Sequence, residues 1–251
     1  MSYTHIKRPE LIPFFKSMDN EIKDVQGLIR RGYKSLPAAE FLMLKIDDDI
    51  ADAKSYFNDL INLHITSSHK SDTYELTNSY DGKKAVQIAF TSSGLKKLGL
   101  PPEILKTFSR EFLEGMCYHQ TDPDNPDAEI KERSTLLGDV ESNRSDNWHW
   151  GNDVNPVDCI LMLYAQTKES LMALKEDCFS SVKKGVIMAY EADTFIYNPE
   201  EEVKEHFGFR DGISQPIIRG LKKSNDESGD DQLVNPGEFI LGHENEYNSY
   251  S

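Results

Sequence analysis

The sequence predicts an α+β fold, in which two helices cover one face of an antiparallel sheet. Two amphipathic segments have the length and period of helices, at 50–63 and 168–182. Four short apolar or alternating segments have the length of strands, at 41–46, 84–91, 158–166 and 185–192. Their order along the chain is βαββαβ, which is the ferredoxin-like plan, with a long insertion between the two middle strands.

The first elements after residue 40 follow from local pattern. FLMLKI, at 41–46, is an apolar run short enough to be a buried strand. Helix 50–63 follows three aspartates, whose charge suits the positive end of a helix dipole. KAVQIAFT, at 84–91, alternates like a strand. The predicted apolar stripe of the helix consists of Ile50, Ala53, Phe57, Leu60 and Ile61.

A helical region and a polar insertion are predicted before the third strand. SSGLKKLGLPP, from residue 92, has a serine cap and ends in two prolines, so it predicts a short helix. A single helix is predicted over 102–116, because its apolar residues share one side. Residues 117–157 are polar, rich in Pro, Asp and Asn, and include the cluster NWHWGND. Regular pattern returns with DCILMLYAQ at 158–166, whose continuous apolarity predicts a central strand.

These patterns divide the chain into three parts. We expect an irregular N-terminal arm at 1–40 and a ferredoxin-like domain at 41–192. The last part, 193–251, is a loop segment that carries the stretch HFGFRDGISQP and leads toward a second half.

Composition limits the function classes. The chain has 251 residues, of which 38% are hydrophobic, so it is long and apolar enough to bury a core. Its formal net charge of −15 disfavours nucleic acid and anionic membrane surfaces as partners. No leader or membrane span is predicted. The three cysteines form no C-x-x-C pair, which indicates buried thiols in a reducing compartment and predicts a cytoplasmic protein.

Two interpretations of the Arg210-Asp211-Gly212 stretch stay open on these residues alone. It could be a turn, in which Gly212 supplies a left-handed backbone conformation. It could also hold an acid beside an apolar wall of Phe207, Phe209 and Ile213, which suits general acid–base chemistry.

Other chemistry has weaker support in the sequence. The seven histidines show no metal-site spacing, so no metal ligands are predicted; His149 is either a ligand or a stacked aromatic. Ser214 lacks a nucleophile elbow, and the chain has neither a dinucleotide-binding fingerprint nor a P-loop.

HFGFRDGISQPIIRG, at 206–220, resembles the signature block of the dye-decolorising (DyP-type) heme peroxidases, with their G-x-x-D-G core at 208–212. Further segments resemble the family in the same order, and the similarity spans residue 24 to about residue 247. These segments are DVQGLIRRGY (24–33), VQIAFTSSGLKKLGLP (86–101), W-x-W-G (148–151) and PGEFILG (236–242). Members of the family have two ferredoxin-like halves.

The resemblance implies a peroxidase that binds heme b and uses hydrogen peroxide to oxidise bulky phenolic or dye-like electron donors. Asp211 would be the distal acid–base residue. The distal face of the heme would be lined by Gly212, Ile213, Ser214 and Gln215. The iron ligand of the family lies downstream of the signature, beyond Ser251, so we expect this chain to lack the C-terminal half that holds the iron.

Two alternatives remain at this point. The chain could be a truncated, non-catalytic module that associates with itself or with a second chain through the surface meant for the missing half. It could also be another ferredoxin-like heme enzyme, such as a chlorite-dismutase relative, which would not need Asp211.

Overall fold

The structure of the chain is a computed structural model. It describes residues 23–30, 32–33, 35–68, 84–117, 119–120, 131–132, 137–179, 185–194, 204–205, 207–210, 216–221 and 233–250.

The described residues contain short and long elements of both kinds. The strands are β1 (Ala38–Ile46), β2 (Lys84–Phe90), β3 (His119–Gln120), β4 (Lys131–Glu132), β5 (Cys159–Ala165), β6 (Val186–Asp193), β7 (Ile217–Ile218) and β8 (Leu233–Val234). The α-helices are α1 (Gly27–Arg30), α2 (Ile50–Leu63), α3 (Ser92–Lys97), α4 (Pro102–Leu105), α5 (Arg110–Glu114) and α6 (Lys168–Phe179). Single 3₁₀ turns occupy Glu141–Asn143, Ser145–Asn147 and Pro236–Glu238. None of these helices is long and apolar enough to cross a bilayer.

A four-stranded antiparallel sheet forms the centre of the chain, in the spatial order β2–β5–β1–β6. The chain runs through these strands in the order β1, β2, β5 and β6, with α2 after β1 and α6 after β5. The first strand therefore lies between the third and the fourth, as in a ferredoxin-like sheet. The predicted α+β class with an antiparallel sheet is confirmed, and the long insertion separates the two middle strands, β2 and β5.

The core lies between the sheet and the two long helices. Alternate residues of β5 are buried, because successive side chains of a strand point to opposite faces. The helix-facing row of β5 is fully buried, as are the facing residues of β1. From the helices, the buried members of this core are Ala53, Tyr56, Phe57, Leu60, Leu171, Leu174 and Cys178.

The prediction for the apolar stripe of α2 is partly wrong. Ile61 is 57% exposed, whereas Tyr56, which the prediction omitted, is 2% exposed. Residues 53, 56, 57 and 60 have the spacing of a single helix face, and residue 61 lies about 100° farther around the helix than residue 60. The face that meets the sheet is therefore rotated toward Tyr56.

The single helix predicted over 102–116 is also wrong. The structure has two short helices, α4 and α5, separated by Lys106–Ser109. Thr107 donates its hydroxyl to the carbonyl of Ile104 at 2.8 Å, and the hydroxyl of Ser109 accepts from the amide of Phe112 at 3.3 Å. Side chains of this kind offer the backbone local alternatives to a continuous helix, so Ser109 begins a second helix instead.

Strand β2 is at the edge of the sheet, and the segment before β1 covers that edge. The amide group of Gln26 donates to the carbonyl of Ile88 and accepts from the amide of Ile88, both at 2.8 Å. Thr66 pairs in the same way with Val86, through its own amide and its hydroxyl. These hydrogen bonds pair the backbone amides and carbonyls of Ile88 and Val86. On an uncovered edge strand, such groups are available to pair with a strand of another chain.

The hydroxyl of Tyr56 predicts a stabilising substitution. Its oxygen is buried and has no hydrogen-bond partner within the described chain. Burial, together with the nearby thiols of Cys178 and Cys159, raises the pKa of Tyr56. A buried unpaired hydroxyl costs free energy. Tyr56→Phe should therefore raise the free energy of unfolding by about 1 kcal/mol.

Urea denaturation followed by circular dichroism measures this change. Tyr247→Phe is the matched control, since Tyr247 is 85% exposed and the same substitution there should leave stability unchanged. A loss of stability in Tyr56→Phe would contradict the assignment, because it would mean that the hydroxyl has a partner.

Candidate functional site

The predicted site residues Asp211, Gly212, Ile213, Ser214 and Gln215 lie outside the described residues. The structure describes the chain on either side of them, at 207–210 and 216–221. Their roles stay predictions.

The residues before Asp211 form a tight turn. Lys204 pairs with Arg210 in an antiparallel bridge, and the amide of Glu205 donates to the carbonyl of Phe209 at 2.8 Å. The turn closes where the amide of Gly208 donates to the carbonyl of Glu205, also at 2.8 Å. Gly208 has φ +88°, a conformation that favours glycine. The G-x-x-D-G motif therefore begins with a glycine whose backbone requires it.

The two aromatic residues of this turn are exposed. Phe207 is 88% exposed and Phe209 is 76% exposed. A turn this tight points its side chains outward, and no described element covers them. In this chain they are therefore solvent-facing apolar groups. Asp211 and Ile213 lie outside the described residues, so the interpretation of an acid beside an apolar wall stays a prediction.

A groove opens on the face of the sheet opposite the two long helices, and we call it the open-face groove. Its volume is about 1320 Å³. Its floor is a row of cross-strand neighbours, in which Ile160 of β5 lies between Met43 of β1 and Ala89 of β2. One wall is formed by Glu111–Cys117, which includes most of α5, and the other by the loop segment 147–153.

Asparagines organise the loop wall of the groove. The side chain of Asn152 is buried; it donates to the carbonyls of Ser145 and Trp148 at 2.9 and 3.0 Å, and accepts from the amide of Asn155 at 2.7 Å. Asn155 in turn donates to the carbonyl of His149 at 2.8 Å. Side-chain hydrogen bonds thus order a segment that has little regular secondary structure.

The aromatic cluster of this loop lies against β6. The ring of His149 stacks on Tyr190, with 5.9 Å between centroids and 18° between planes, and Trp150 lies 6.4 Å from the same ring. The indole of Trp148 donates to the carbonyl of Asn143 at 2.8 Å. Of the two sequence-based interpretations of His149, the stacked aromatic is the one that the structure supports. Among the residues described, no three His, Cys, Asp or Glu side chains form a metal-binding group.

A fully buried carboxylate supports the floor of the groove. Asp158, at 0% exposure, accepts from the amide of Ile46 at 2.7 Å, the hydroxyl of Ser93 at 2.8 Å and the ammonium of Lys97 at 2.6 Å. Its carbonyl accepts from the amide of Thr91 at 2.9 Å. Asp158 therefore joins the end of β1 and the start of β5 to the residues before and within α3.

Comparison with known proteins gives related sequences and a shared fold. No protein-family model matches the chain. A dye-decolorizing peroxidase of Mycetinis scorodonius is 24% identical over 225 residues, which are 90% of this chain and 39% of that protein. A dye-decolorizing peroxidase of Mycena epipterygia is 25% identical over 224 residues, or 88% of this chain and 37% of that protein.

Solved structures agree in fold. A DyP-type peroxidase of Anabaena sp. has a TM-score of 0.65 at 20% identity, over 79% of this chain and 40% of that one. A dye-decolorizing peroxidase in complex with 2,6-dimethoxyphenol has a TM-score of 0.66 at 18% identity, over 96% of this chain and 47% of that one. The chain is similar in sequence to dye-decolorizing peroxidases and shares their fold over the matched region.

The chain spans only 37–39% of the length of these two curated relatives. The predicted resemblance is confirmed, and the region of similarity covers most of the present chain.

Two features of this chain were missed by the sequence predictions. The open-face groove was missed because its floor and walls come from segments more than 100 residues apart, such as Met43 and Trp150. Asp158 was missed because a single acidic residue before an apolar strand gives no sign of its burial.

Proposed function

We propose that this chain is part of a hydrogen-peroxide-dependent, DyP-type heme peroxidase that oxidises bulky phenolic or dye-like electron donors. The observation that carries the proposal is the G-x-x-D-G motif at 208–212. It occurs in a chain that is similar to dye-decolorizing peroxidases over 88–90% of its length. The ferredoxin-like strand order and the turn at Gly208 support it.

In this proposal Asp211 is the catalytic acid–base residue. Its carboxylate would move a proton from one oxygen of hydrogen peroxide to the other, which would leave as water, with the electrons for O–O cleavage supplied by the heme of the complete protein. Gly212, Ile213, Ser214 and Gln215 line the same side of the site, where Ile213 helps to exclude water. The left-handed turn at Gly208 sets the direction in which the backbone enters this stretch.

Heme b is proposed as the cofactor of the complete protein, where it supplies the redox chemistry. It needs an apolar slot and an axial ligand for its iron. The open-face groove has apolar surface, but its described histidine, His149, is stacked on Tyr190. The described residues therefore do not fit heme by themselves. We assign the iron ligand to sequence outside this region, in accord with the 37–39% of the relatives' length that the chain spans.

A hemin titration tests this assignment. The 251-residue chain should show no stoichiometric Soret band and no peroxide-dependent dye oxidation when hemin is added. A stoichiometric band with turnover would overturn the assignment of the iron ligand to other sequence.

Asp211→Asn tests the acid–base role in the heme-loaded protein that contains the remaining sequence. We expect kcat to fall by roughly 100-fold or more, because a positioned acid–base residue contributes about 10²–10⁴-fold. The Soret band should be unchanged. Asp193→Asn, at an exposed strand end, is the matched control and should keep full activity. Undiminished turnover in Asp211→Asn would favour the alternative of a chlorite-dismutase-like enzyme.

A second candidate function is an association module that pairs with itself or with another chain. The observation that favours it is the set of exposed apolar side chains in the signature turn and beyond it, at Phe207, Phe209 and Leu241. Multi-angle light scattering at increasing concentration measures association. A monomer at every concentration, unchanged in Phe207→Ser, would contradict self-association.

A cytoplasmic location is part of the same proposal. It is supported by Cys159 and Cys178, which are buried free thiols. Fractionation of cells that express the protein tests it; recovery outside the cytoplasm would contradict it.

A further inference from the structure

The described lining of the open-face groove carries one sign of charge. Four carboxylates belong to it, and no lysine or arginine does. The four are Glu111, Glu114, Asp139 and Asp153. Arg110, next to the groove, neutralises one of them through an ion pair with Glu114 at 2.6 Å. Counted as formal charges, the described lining residues together with Arg110 are net negative, and the chain as a whole adds to this with a formal charge of −15.

The same groove presents aromatic and apolar surface. Trp148, His149 and Trp150 form one side, with Phe112 among the other lining residues. Trp150 is 40% exposed, so part of its indole is open to a ligand. An indole face beside carboxylates attracts a cation by both the ring quadrupole and the charges.

Hydrogen bonds within the chain fix the walls of the groove in the absence of a ligand. Asn152 and Asn155 fix the aromatic loop through side-chain hydrogen bonds, and one of these, from Asn155 to the carbonyl of Ala189 at 3.3 Å, ties the loop to β6. On the opposite wall, the hydroxyl of Ser92 donates to the carbonyl of Leu113 at 3.1 Å, which ties α3 to α5. A preformed site loses less conformational entropy on binding.

We propose that the open-face groove binds a cationic planar aromatic molecule and discriminates against anionic ones. The sheet floor of Met43, Ala89 and Ile160 would support the ring system, Trp150 would stack on it, and the carboxylates at the rim would pair with its charge. The inference goes beyond the proposed peroxidase activity. It needs neither heme nor peroxide, so either proposal can fail without the other.

The tryptophans make a direct test possible. Trp148 and Trp150 are the two tryptophans of the chain, and both line the groove, so intrinsic tryptophan fluorescence reports on this site. The probes are methylene blue, a planar cation, and a monosulfonated anthraquinone, a planar anion. Equilibrium dialysis gives their dissociation constants at low ionic strength, and tryptophan quenching, corrected for dye absorbance, locates the binding.

We expect methylene blue to bind at least about tenfold more tightly than the sulfonate, with saturable quenching. Added salt should weaken binding of the cation, because mobile ions screen exposed charges. Equal affinities, tighter binding of the sulfonate, or no quenching by either dye would overturn the proposal. So would a stable dimer of the chain that excludes methylene blue, since the occupant would then be a second copy.

Matched variants test whether a carboxylate of the groove and the ring of Trp150 contribute to binding of methylene blue. Glu111→Gln should weaken methylene blue binding by roughly two- to fivefold, whereas Glu176→Gln, exposed on α6 across the sheet, should not change it. Trp150→Leu should weaken it by roughly fivefold while leaving the circular dichroism spectrum unchanged. If Glu176→Gln weakens binding as much as Glu111→Gln, the attraction is that of the whole chain and the groove assignment is wrong.

Discussion

Replacement of Asp158 by alanine is expected to lower the free energy of unfolding by about 3 kcal/mol. The carboxylate is completely buried and accepts hydrogen bonds from a backbone amide, a hydroxyl and an ammonium group. Without it, the amide of Ile46 stays buried without an acceptor, which by itself costs about 1–3 kcal/mol. Lys97 has a side chain that is 41% exposed, so water replaces part of its lost interaction.

The same substitution should also loosen the open-face groove. Thr91, Ser93 and Val157 line the groove and lie next to Asp158 in the chain or in its hydrogen-bond network. Asp158→Ala should therefore change the tryptophan emission spectrum under native conditions, in addition to lowering the urea midpoint.

Two further variants separate the effect of the buried hydrogen bonds of Asp158 from the effect of removing its charge. Asp158→Asn keeps an oxygen for the amide of Ile46 but loses the charge that faces Lys97, so it should cost about 1–2 kcal/mol. Asp177→Ala removes a carboxylate that is 58% exposed and lies 3.6 Å from Lys84, and it should cost less than about 1 kcal/mol. If Asp158→Ala costs no more than Asp177→Ala, the buried network does not stabilise the fold.

Gly185→Ala is expected to destabilise the chain by about 3 kcal/mol or more. Gly185 has φ +83°, in the left-handed region, and precedes β6. A Cβ atom at this position would collide with the backbone amide of Ala53 and the carbonyl of Asp49, at the beginning of α2. The carbonyl of Gly185 also accepts from the amide of Asp47 at 2.9 Å, so the backbone cannot move away without breaking that bond.

Gly208→Ala provides the matched control. Gly208 has a similar φ, +88°, but a Cβ atom there would meet nothing within 4 Å. Gly208→Ala should therefore lower the free energy of unfolding by about 1–2 kcal/mol, which is the cost of placing alanine in the left-handed conformation. The difference between the two variants in urea denaturation measures the steric part. Equal losses would mean that the close approach of Gly185 to α2 contributes nothing.

Local pattern was sufficient for most of the fold. Helix 50–63 has the predicted bounds, because its aspartate cap and its apolar period both lie within the segment itself: Asp49 accepts from the amide of Asp52 at 3.1 Å. The four main strands were found to within three residues at each end, since each is a short apolar or alternating run.

The errors have a common cause. The helical period over 102–116 suggested one helix, but the hydroxyls of Thr107 and Ser109 form local hydrogen bonds instead. The period of α2 included Ile61, but the angle at which the helix meets the sheet selects Tyr56. In both cases a competing contact, absent from the periodic pattern, determines the outcome.

The sequence by itself determined the α+β class, the order of the main elements and the relationship to dye-decolorizing peroxidases, because these depend on residue patterns along the chain. It also identified Asp211 as the proposed acid–base residue. Only the tertiary structure decided that Asp158 is buried and that Phe207 and Phe209 are exposed. It alone located the open-face groove, because burial and cavities depend on which distant segments meet in space.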